Sequence, residues 1–220
     1  MFVGAGAIHF PTSLTRIAST DKLGEFCYSA YHRADGNILL GCGDGVKLFN
    51  KETMSVTTYD TVFKQVTSVV EYRNNIYVLH RVGDIDKVEM CLPDMKSSYK
   101  LFEFKRDSAP AASMTVSDKY IVVCNPDNGW WLIIYDIISK EKKYRQPDVR
   151  AHPYFLPDGQ LLVIMADRIA KYRPSDEELT IIHEGLKKVQ HICTDEDGLI
   201  YVSTRENQRV LYIISPDGKL

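Results

Sequence analysis

A unit with the same pattern recurs five times along this chain and constrains its fold more than any other feature. Each unit contains a polar turn pair that leads directly into an apolar strand. The pairs begin at Asp35, Asn74, Asp118, Asp158 and Asp197, so successive pairs lie 39, 44, 40 and 39 residues apart. A repeat of this period predicts an array of similar supersecondary units rather than a fold with one unrepeated core.

The residues around each turn pair predict four β-strands per unit. An apolar stretch precedes the pair, as EFCYSAYH does before Asp35, and two more strands follow after polar turns. In the third unit we expect strands at Tyr120 to Cys124, Trp130 to Asp136 and Lys142 to Arg145. Short strands bounded by Gly, Asp, Asn and Pro indicate an all-β chain. Four-stranded units arranged in a ring form a β-propeller, in which radial repetition protects the strand edges.

The boundaries of the repeat predict a single propeller domain over residues 1–220. The units are expected at approximately 26–65, 66–110, 111–149, 150–188 and 189–220. The last unit ends after its third strand, and residues 13–20 could supply a fourth strand that closes a five-bladed ring. The alternative is an incomplete six-bladed propeller, which we favour from the size range of propellers.

Composition excludes several classes of protein. The chain is 45% hydrophobic and 25% charged, which is typical of a globular domain. Its net charge of −2 gives no general attraction to nucleic acid. The N-terminal MFVGAGAIHF lacks a basic region and is too short for a membrane span. We therefore expect a cytoplasmic protein with no membrane partner.

The five cysteines are widely spaced and mostly lie in apolar strand-like runs. They are Cys27, Cys42, Cys91, Cys124 and Cys193. This pattern favours buried thiols in a reducing compartment over a disulfide framework or a metal site.

The last 26 residues, DEDGLIYVSTRENQRVLYIISPDGKL, resemble an NHL repeat. Such repeats have an Asp-x-Asp-Gly turn, an apolar strand, an Asn-x-Arg-Val turn, a second strand and a closing Asp-Gly. The matching residues here are Asp195, Asp197, Gly198, Asn207, Arg209, Val210, Asp217 and Gly218. The other four units share the architecture but not the full motif. The resemblance implies a propeller that is typically six-bladed.

Propeller geometry sorts the turns onto two faces. The lower face carries the first-to-second and third-to-fourth strand turns, and the upper face carries the second-to-third turns and the connections between blades. The upper face is the expected binding face. Its candidate residues are Arg81, Asp84, Asp127, Asn128, Arg168, Arg205, Lys187, Lys188 and, as an exposed aromatic anchor, Trp130.

Metal chemistry is an alternative that rests on three histidines. His152 and His191 lie 39 residues apart on predicted innermost strands, and His32 lies near the end of another. Related six-bladed propellers hold calcium or zinc in the central channel and hydrolyse lactones or esters, and such sites need several converging His or acid ligands. The turn acids are more simply explained by turn geometry. No nucleophile elbow or zinc-protease motif is present in the sequence, and we expect no cofactor.

The resemblance implies three functions, in order of preference. NHL propellers commonly form the C-terminal part of tripartite-motif ubiquitin ligases, which also contain RING, B-box and coiled-coil modules, and there they select the protein to be ubiquitinated. We therefore expect a protein-interaction propeller without enzymatic activity of its own. A metal-dependent hydrolase or lyase is the first alternative. An RNA-binding propeller is the second, since some NHL propellers bind single-stranded RNA.

Overall fold

The computed structural model describes residues 26–105, 113–125, 131–145, 153–165, 168–195, 197–204 and 211–219. These residues form five antiparallel sheets and contain no helix. Accordingly, no described helix is long and apolar enough to cross a membrane.

Each sheet is one blade, and its strands follow one another in chain order. Blade 1 comprises β1 (Cys27–His32), β2 (Ile38–Cys42), β3 (Gly45–Asn50) and β4 (Ser55–Thr58). Blade 2 comprises β5 (Val66–Tyr72), β6 (Asn75–Val82), β7 (Ile85–Cys91) and β8 (Ser98–Lys105). Blade 3 comprises β9 (Ser113–Val116), β10 (Tyr120–Asn125), β11 (Trp131–Asp136) and β12 (Lys142–Arg145). Blade 4 comprises β13 (Tyr154–Phe155), β14 (Leu161–Met165), β15 (Arg168–Arg173) and β16 (Glu178–Glu184). Blade 5 comprises β17 (Val189–Thr194), β18 (Ile200–Thr204) and β19 (Leu211–Ile214).

The predicted all-β propeller is confirmed, with five blades in the described residues. Blade 5 has three described strands, in agreement with the unit that ends after its third strand. Residues 13–20, which the sequence offers as a closing fourth strand, lie outside the described residues.

Most of the apolar core of the described residues lies between consecutive blades, and one further cluster, which includes Leu40 and Phe49, is formed by blade 1 alone. Leu39 of β2 and Val69 of β5 share one cluster, and each following pair of blades shares another. The second strands supply much of this core, as in residues 161–164 of β14, which are all fully buried or nearly so. A strand buried on both faces reads as a continuous apolar run, which explains ILLGC, YIVVC and LLVIM in the sequence.

Turn geometry repeats from blade to blade on the lower face. A non-glycine residue with positive φ occupies the third-to-fourth turn in each of the first four blades: Met54, Met95, Lys140 and Glu177. Asp and Asn side chains cap the same turns, as Asp136 does by accepting from the backbone amides of Ile138 and Ser139 at 2.9 and 3.0 Å. Local side-chain bonds of this kind stabilise turns, so many of the turn acids are explained by backbone geometry.

One histidine is enclosed in the core between blades 1 and 2. His80 of β6 is only 4% exposed, and its ring lies 4.8 Å from the ring of Phe63. Its Nε2 lies 3.1 Å from Glu89 Oε1, and no partner for Nδ1 is found in the described part of the chain. Burial lowers the pKa of His80, and this outweighs the opposing effects of the Glu89 and Asp86 carboxylates, while Lys87 lowers the pKa further.

We expect the protein to lose stability as the pH falls below about 6.5, the ordinary pKa of histidine. The unfolded chain then binds a proton that buried His80 resists, so the free energy of unfolding decreases with falling pH. Urea unfolding of the wild type and of His80→Gln between pH 7.5 and 5.5 checks this, and the variant should show the shallower dependence. His32→Gln, at an exposed position, serves as the control and should behave as the wild type does.

Candidate functional site

A cavity of about 720 Å³ lies at the lower-face end of the central channel. All five innermost strands contribute to its wall near their C-terminal ends: Tyr31 of β1, Val70 of β5, Thr115 of β9, Tyr154 of β13 and Thr194 of β17. The turns that follow β9, β13 and β17 also contribute to the wall. Since each innermost strand ends at the lower face, the repeat itself creates this concave site, and its size is that of a typical ligand pocket.

Tyrosine is the most frequent residue type in the wall of the cavity. Four of them contribute, from four different blades: Tyr31, Tyr72, Tyr120 and Tyr154. Tyr154 is 39% exposed and therefore open to a partner. Burial raises the pKa of Tyr31, and the neighbouring Glu71 and Tyr154 raise it further, which places all three groups in one environment. Tyrosine combines an apolar ring with a hydroxyl, so this wall can bury apolar surface and still donate hydrogen bonds.

A bidentate ion pair joins blades 1 and 2 beside the cavity. Arg33 Nε and Nη2 donate to the two carboxylate oxygens of Glu71 at 3.0 and 2.9 Å. Both side chains are largely buried, with 17% and 14% exposure. Asp35 also lies 3.5 Å from Arg33 Nη1. The hydrogen bond from Arg33 holds Glu71, a cavity residue, in a fixed position, and it raises the pKa of Arg33.

A second arginine occupies a similar place one blade further along the chain. Arg73, which follows the end of β5, contacts Asp118 with Nε to Oδ1 and Nη2 to Oδ2 distances of 2.7 Å each. Lys119 lies 5.1 Å from the centre of the Tyr120 ring, within range of a cation–π contact. Arginine–carboxylate pairs thus link blade 1 to blade 2 and blade 2 to blade 3 beside the cavity, and the charges of Glu71 and Asp118 are balanced by those arginines.

Asp195 belongs both to the NHL-like motif and to the cavity wall. Its Oδ1 accepts from the amides of Asp197 and Leu199 at 3.1 and 2.9 Å, and its Oδ2 accepts from the Tyr201 hydroxyl at 2.8 Å. The hydrogen bond from Tyr201, followed by those from the backbone, lowers the pKa of Asp195. Asp195 therefore acts as a turn-stabilising carboxylate at this position.

The predicted upper-face residues that the structure describes are engaged in ion pairs or exposed to solvent. Arg81 Nε lies 3.4 Å from Asp86 Oδ1, and Asp84 lies 3.5 Å from Lys105 Nζ. Arg168 Nε lies 3.6 Å from Glu184 Oε1. Lys187 and Lys188 are exposed. Asp127, Asn128, Trp130 and Arg205 lie outside the described residues. The upper-face site stays a prediction, and none of its described residues lines the cavity.

The histidine hypothesis also stays a prediction. His32 is exposed at the end of β1, His152 lies outside the described residues, and His191 is described only as a backbone position of β17. Within the described ranges, no three His, Cys, Asp or Glu side chains form a group that could hold a metal ion. The cavity residues that the structure describes include no histidine.

The cavity was not predicted from the sequence, although some of its residues occupy equivalent positions relative to the turn pairs of their units. Tyr31 and Tyr154 both lie four residues before their turn pair, and Val70 occupies the same position in blade 2. Arg33 and Arg73 both stand directly after an innermost strand. Aligning the repeats and asking which large side chains share the positions just before the turn would have identified one side of the site.

Comparisons with known proteins establish similarity in fold alone. No model of a known protein family matches the chain, and no curated protein sequence matches it. A chain of a mitotic checkpoint complex matches with a TM-score of 0.60 and 14% identity over 94% of this chain and 73% of that one. A chain of a nidogen/laminin complex matches with a TM-score of 0.66 and 11% identity over 86% of this chain and 76% of that one.

TolB from Acinetobacter baumannii is a third similar structure, with a TM-score of 0.64 and 13% identity. The match covers 88% of this chain and 53% of TolB, so this chain spans about half the length of that protein. In all, 705 chains of solved structures match, which is the breadth expected of a common fold that serves many functions. These similarities support a propeller fold, of which the described residues of this chain form five blades.

Proposed function

We propose that this propeller is a protein-interaction module whose partner inserts a polypeptide loop into the tyrosine-lined cavity. The observation that carries the proposal is the convergence of five innermost strands on one concave site with four tyrosines in its wall. Tyrosine is enriched at binding hot spots because it presents a large, rigid surface with one polar end. Two similar structures, the mitotic checkpoint complex and the nidogen/laminin complex, are themselves protein complexes.

The electrostatics of the cavity define the chemistry of the loop. Glu71 and Asp118 already form bidentate pairs with Arg33 and Arg73, and Asp195 accepts three hydrogen bonds from its own turn and Tyr201. A basic loop tip would have to break one of these pairs, and an acidic tip would have to draw Lys119 away from the Tyr120 ring. An uncharged tip with apolar or aromatic side chains can instead pack on Tyr31 and Tyr154. The proposed ligand is therefore an uncharged, hydrophobic loop or turn.

A finer proposal is that the propeller is NHL-like and recognises the substrates of a tripartite-motif-like ubiquitin ligase. The residues of the last repeat support it. Gly198 and Gly218 have φ angles of 79° and 89°, as turn glycines require, and Asp195 caps its turn. Asn207, Arg209 and Val210, which complete the motif, lie outside the described residues. Ubiquitination of a cavity-binding protein by the ligase that contains this propeller would test it.

The proposal predicts that a displayed library of disulfide-constrained peptide loops yields binders that depend on the cavity. Selected peptides should bind Tyr154→Ala at least about tenfold more weakly than the wild type, because one anchor surface is removed. Fluorescence polarisation with labelled peptide measures the affinities. Tyr154 is an exposed position on a short strand, so its replacement should leave the fold intact.

Two control variants distinguish the sites. Tyr99→Ala removes an exposed tyrosine from the outer strand of blade 2, and Lys187→Ala alters the upper face. Both should bind the selected peptides as tightly as the wild type does. If binding is lost in Lys187→Ala and retained in Tyr154→Ala, the partner surface is the upper face and the cavity proposal is wrong.

A further inference from the structure

Two cysteine sulfurs approach each other at the upper end of blade 1. Cys27 begins β1 and Cys42 ends β2, and the two residues are direct cross-strand partners. Their Sγ atoms are 2.6 Å apart. Both residues are free thiols in the structure. The sequence predicts all five cysteines as buried packing residues, but Cys27 and Cys193 are exposed, while Cys42, Cys91 and Cys124 are buried.

The backbone around the pair has the geometry that a cross-strand disulfide needs. The Gly43 amide donates to the Phe26 carbonyl at 3.0 Å, which makes Cys27 and Cys42 a non-hydrogen-bonded pair of the antiparallel ladder. Cα atoms of such pairs lie about 4.5 Å apart, within the separation of about 4.4 to 6.8 Å that disulfides span. Bond formation at this position therefore requires side-chain rotation and no displacement of the strands.

We propose that Cys27 and Cys42 form a reversible disulfide when the protein meets a peroxide. The sulfur of the exposed Cys27 attacks one peroxide oxygen, the O–O bond breaks, and Cys27 becomes a sulfenic acid while its thiol proton joins the departing hydroxide as water. The Cys42 sulfur then attacks the Cys27 sulfur, the S–S bond forms, and the S–O bond breaks, with the Cys42 proton joining the departing hydroxide as a second water. Two thiols are oxidised and one peroxide is reduced to two waters.

The two sulfurs have different roles in this sequence because their surroundings differ. Burial, together with the hydrogen bond to Cys27, raises the pKa of Cys42 to about 12, so Cys42 remains a protonated thiol at neutral pH. Thiolates, not thiols, attack peroxides. Cys27, which is open to solvent, is therefore the residue that reacts first, and Cys42 resolves the sulfenic acid from inside the blade. The disulfide fixes the start of the innermost strand to β2 at the upper face.

Peptide mapping of the peroxide-treated full chain tests the proposal. The reduced protein is desalted, treated with one equivalent of hydrogen peroxide, alkylated and digested with trypsin. Cleavage after Lys22, Arg33 and Lys47 places Cys27 on residues 23–33 and Cys42 on residues 34–47. We expect these two peptides to be joined, with the loss of two hydrogen atoms, and to separate again after treatment with dithiothreitol.

Matched variants make the result specific to the pair. Cys193→Ser, which removes the other exposed cysteine, should keep the linked peptide. Cys27→Ser and Cys42→Ser should both lose it, and in Cys42→Ser a dimedone-reactive sulfenic acid should accumulate on residues 23–33. A linked peptide that contains Cys193, or oxidation of Cys27 beyond the sulfenic acid in the wild type without any link to Cys42, would overturn the proposal.

Discussion

Replacing Phe63 with alanine is expected to lower the free energy of unfolding by about 3 to 5 kcal/mol, the cost of emptying a buried phenylalanine site. Phe63 lies in the connection between β4 and β5, yet it is only 2% exposed. It packs in the cluster that blades 1 and 2 share, against residues such as Leu39 and Val78, and against the ring of His80. Because protein cores are close-packed, the two blades cannot close the resulting cavity by a small shift.

The neighbouring valine provides the control for Phe63. Val62 is 88% exposed, so Val62→Ala removes methyl groups from the same connection without opening a cavity, and the stability should stay within about 0.5 kcal/mol of the wild type. Urea unfolding monitored by fluorescence gives both values. Equal stability losses in the two variants would mean that the connection, rather than the core contact, determines the effect, and would contradict the packing described here.

Replacing Gly41 with valine is expected to cost about 2 to 3 kcal/mol through overpacking between blades 1 and 2. A Cβ at this position would lie 2.5 Å from Ser29 Oγ, 2.9 Å from the Val66 carbonyl oxygen and 3.0 Å from a Val66 methyl group. The backbone carbonyl cannot rotate away as a side chain can, so the strands must separate. The position has no positive φ, which makes the penalty purely steric.

Thermal unfolding of Gly41→Val and Gly159→Ala separates the steric cost from the conformational one. Gly159 has a φ of 80°, and no atom lies within 4 Å of the place that a Cβ would take, so its replacement introduces backbone strain without a clash. We expect a loss of about 1 kcal/mol there.

The additional variant Ser29→Ala in the Gly41→Ala background should recover only part of the stability, because the Val66 carbonyl remains in place. Full recovery would mean that the blades are not in backbone contact at Gly41.

The fold followed from the sequence because its signals are local. Each polar turn pair favours a turn, and the strand after it is buried on both faces and therefore apolar. The alternation of polar turns and apolar strands thus repeats in every unit. In blade 3, for example, the predicted strands Tyr120 to Cys124 and Lys142 to Arg145 agree with β10 and β12 to within one residue. The five units counted in the sequence are the five blades of the structure.

The candidate site could not be predicted in the same way because it is assembled from distant residues. Each blade contributes only a short strand end, and a tyrosine such as Tyr120 reads locally as a strand former. The arginines at Arg33 and Arg73 become informative only when Glu71 and Asp118 are seen opposite them, 38 and 45 residues further along the chain. The sequence shows which residues are charged, but it does not show which of them form ion pairs between blades.

Two further features depended on tertiary contacts that no local pattern encodes. Phe63 stands in a polar connection, TVFKQ, where alternation gives no indication that one side chain enters the core. Cys27 and Cys42 are 15 residues apart, and their contact follows from the register of β1 against β2. A bulge between Cys27 and Ser29 shifts that register, and bulges cannot be located from strand propensity.

Hydrogen–deuterium exchange of the propeller with and without a saturating selected loop peptide tests most directly the claim that the cavity is the partner site. We expect the peptide to slow exchange at residues 115–120 and 154–159, which form neighbouring parts of the cavity wall in blades 3 and 4, and to leave the upper-face turns at residues 43–45 and 83–84 unchanged. Protection confined to the upper-face turns, with no change in the two cavity segments, would contradict it.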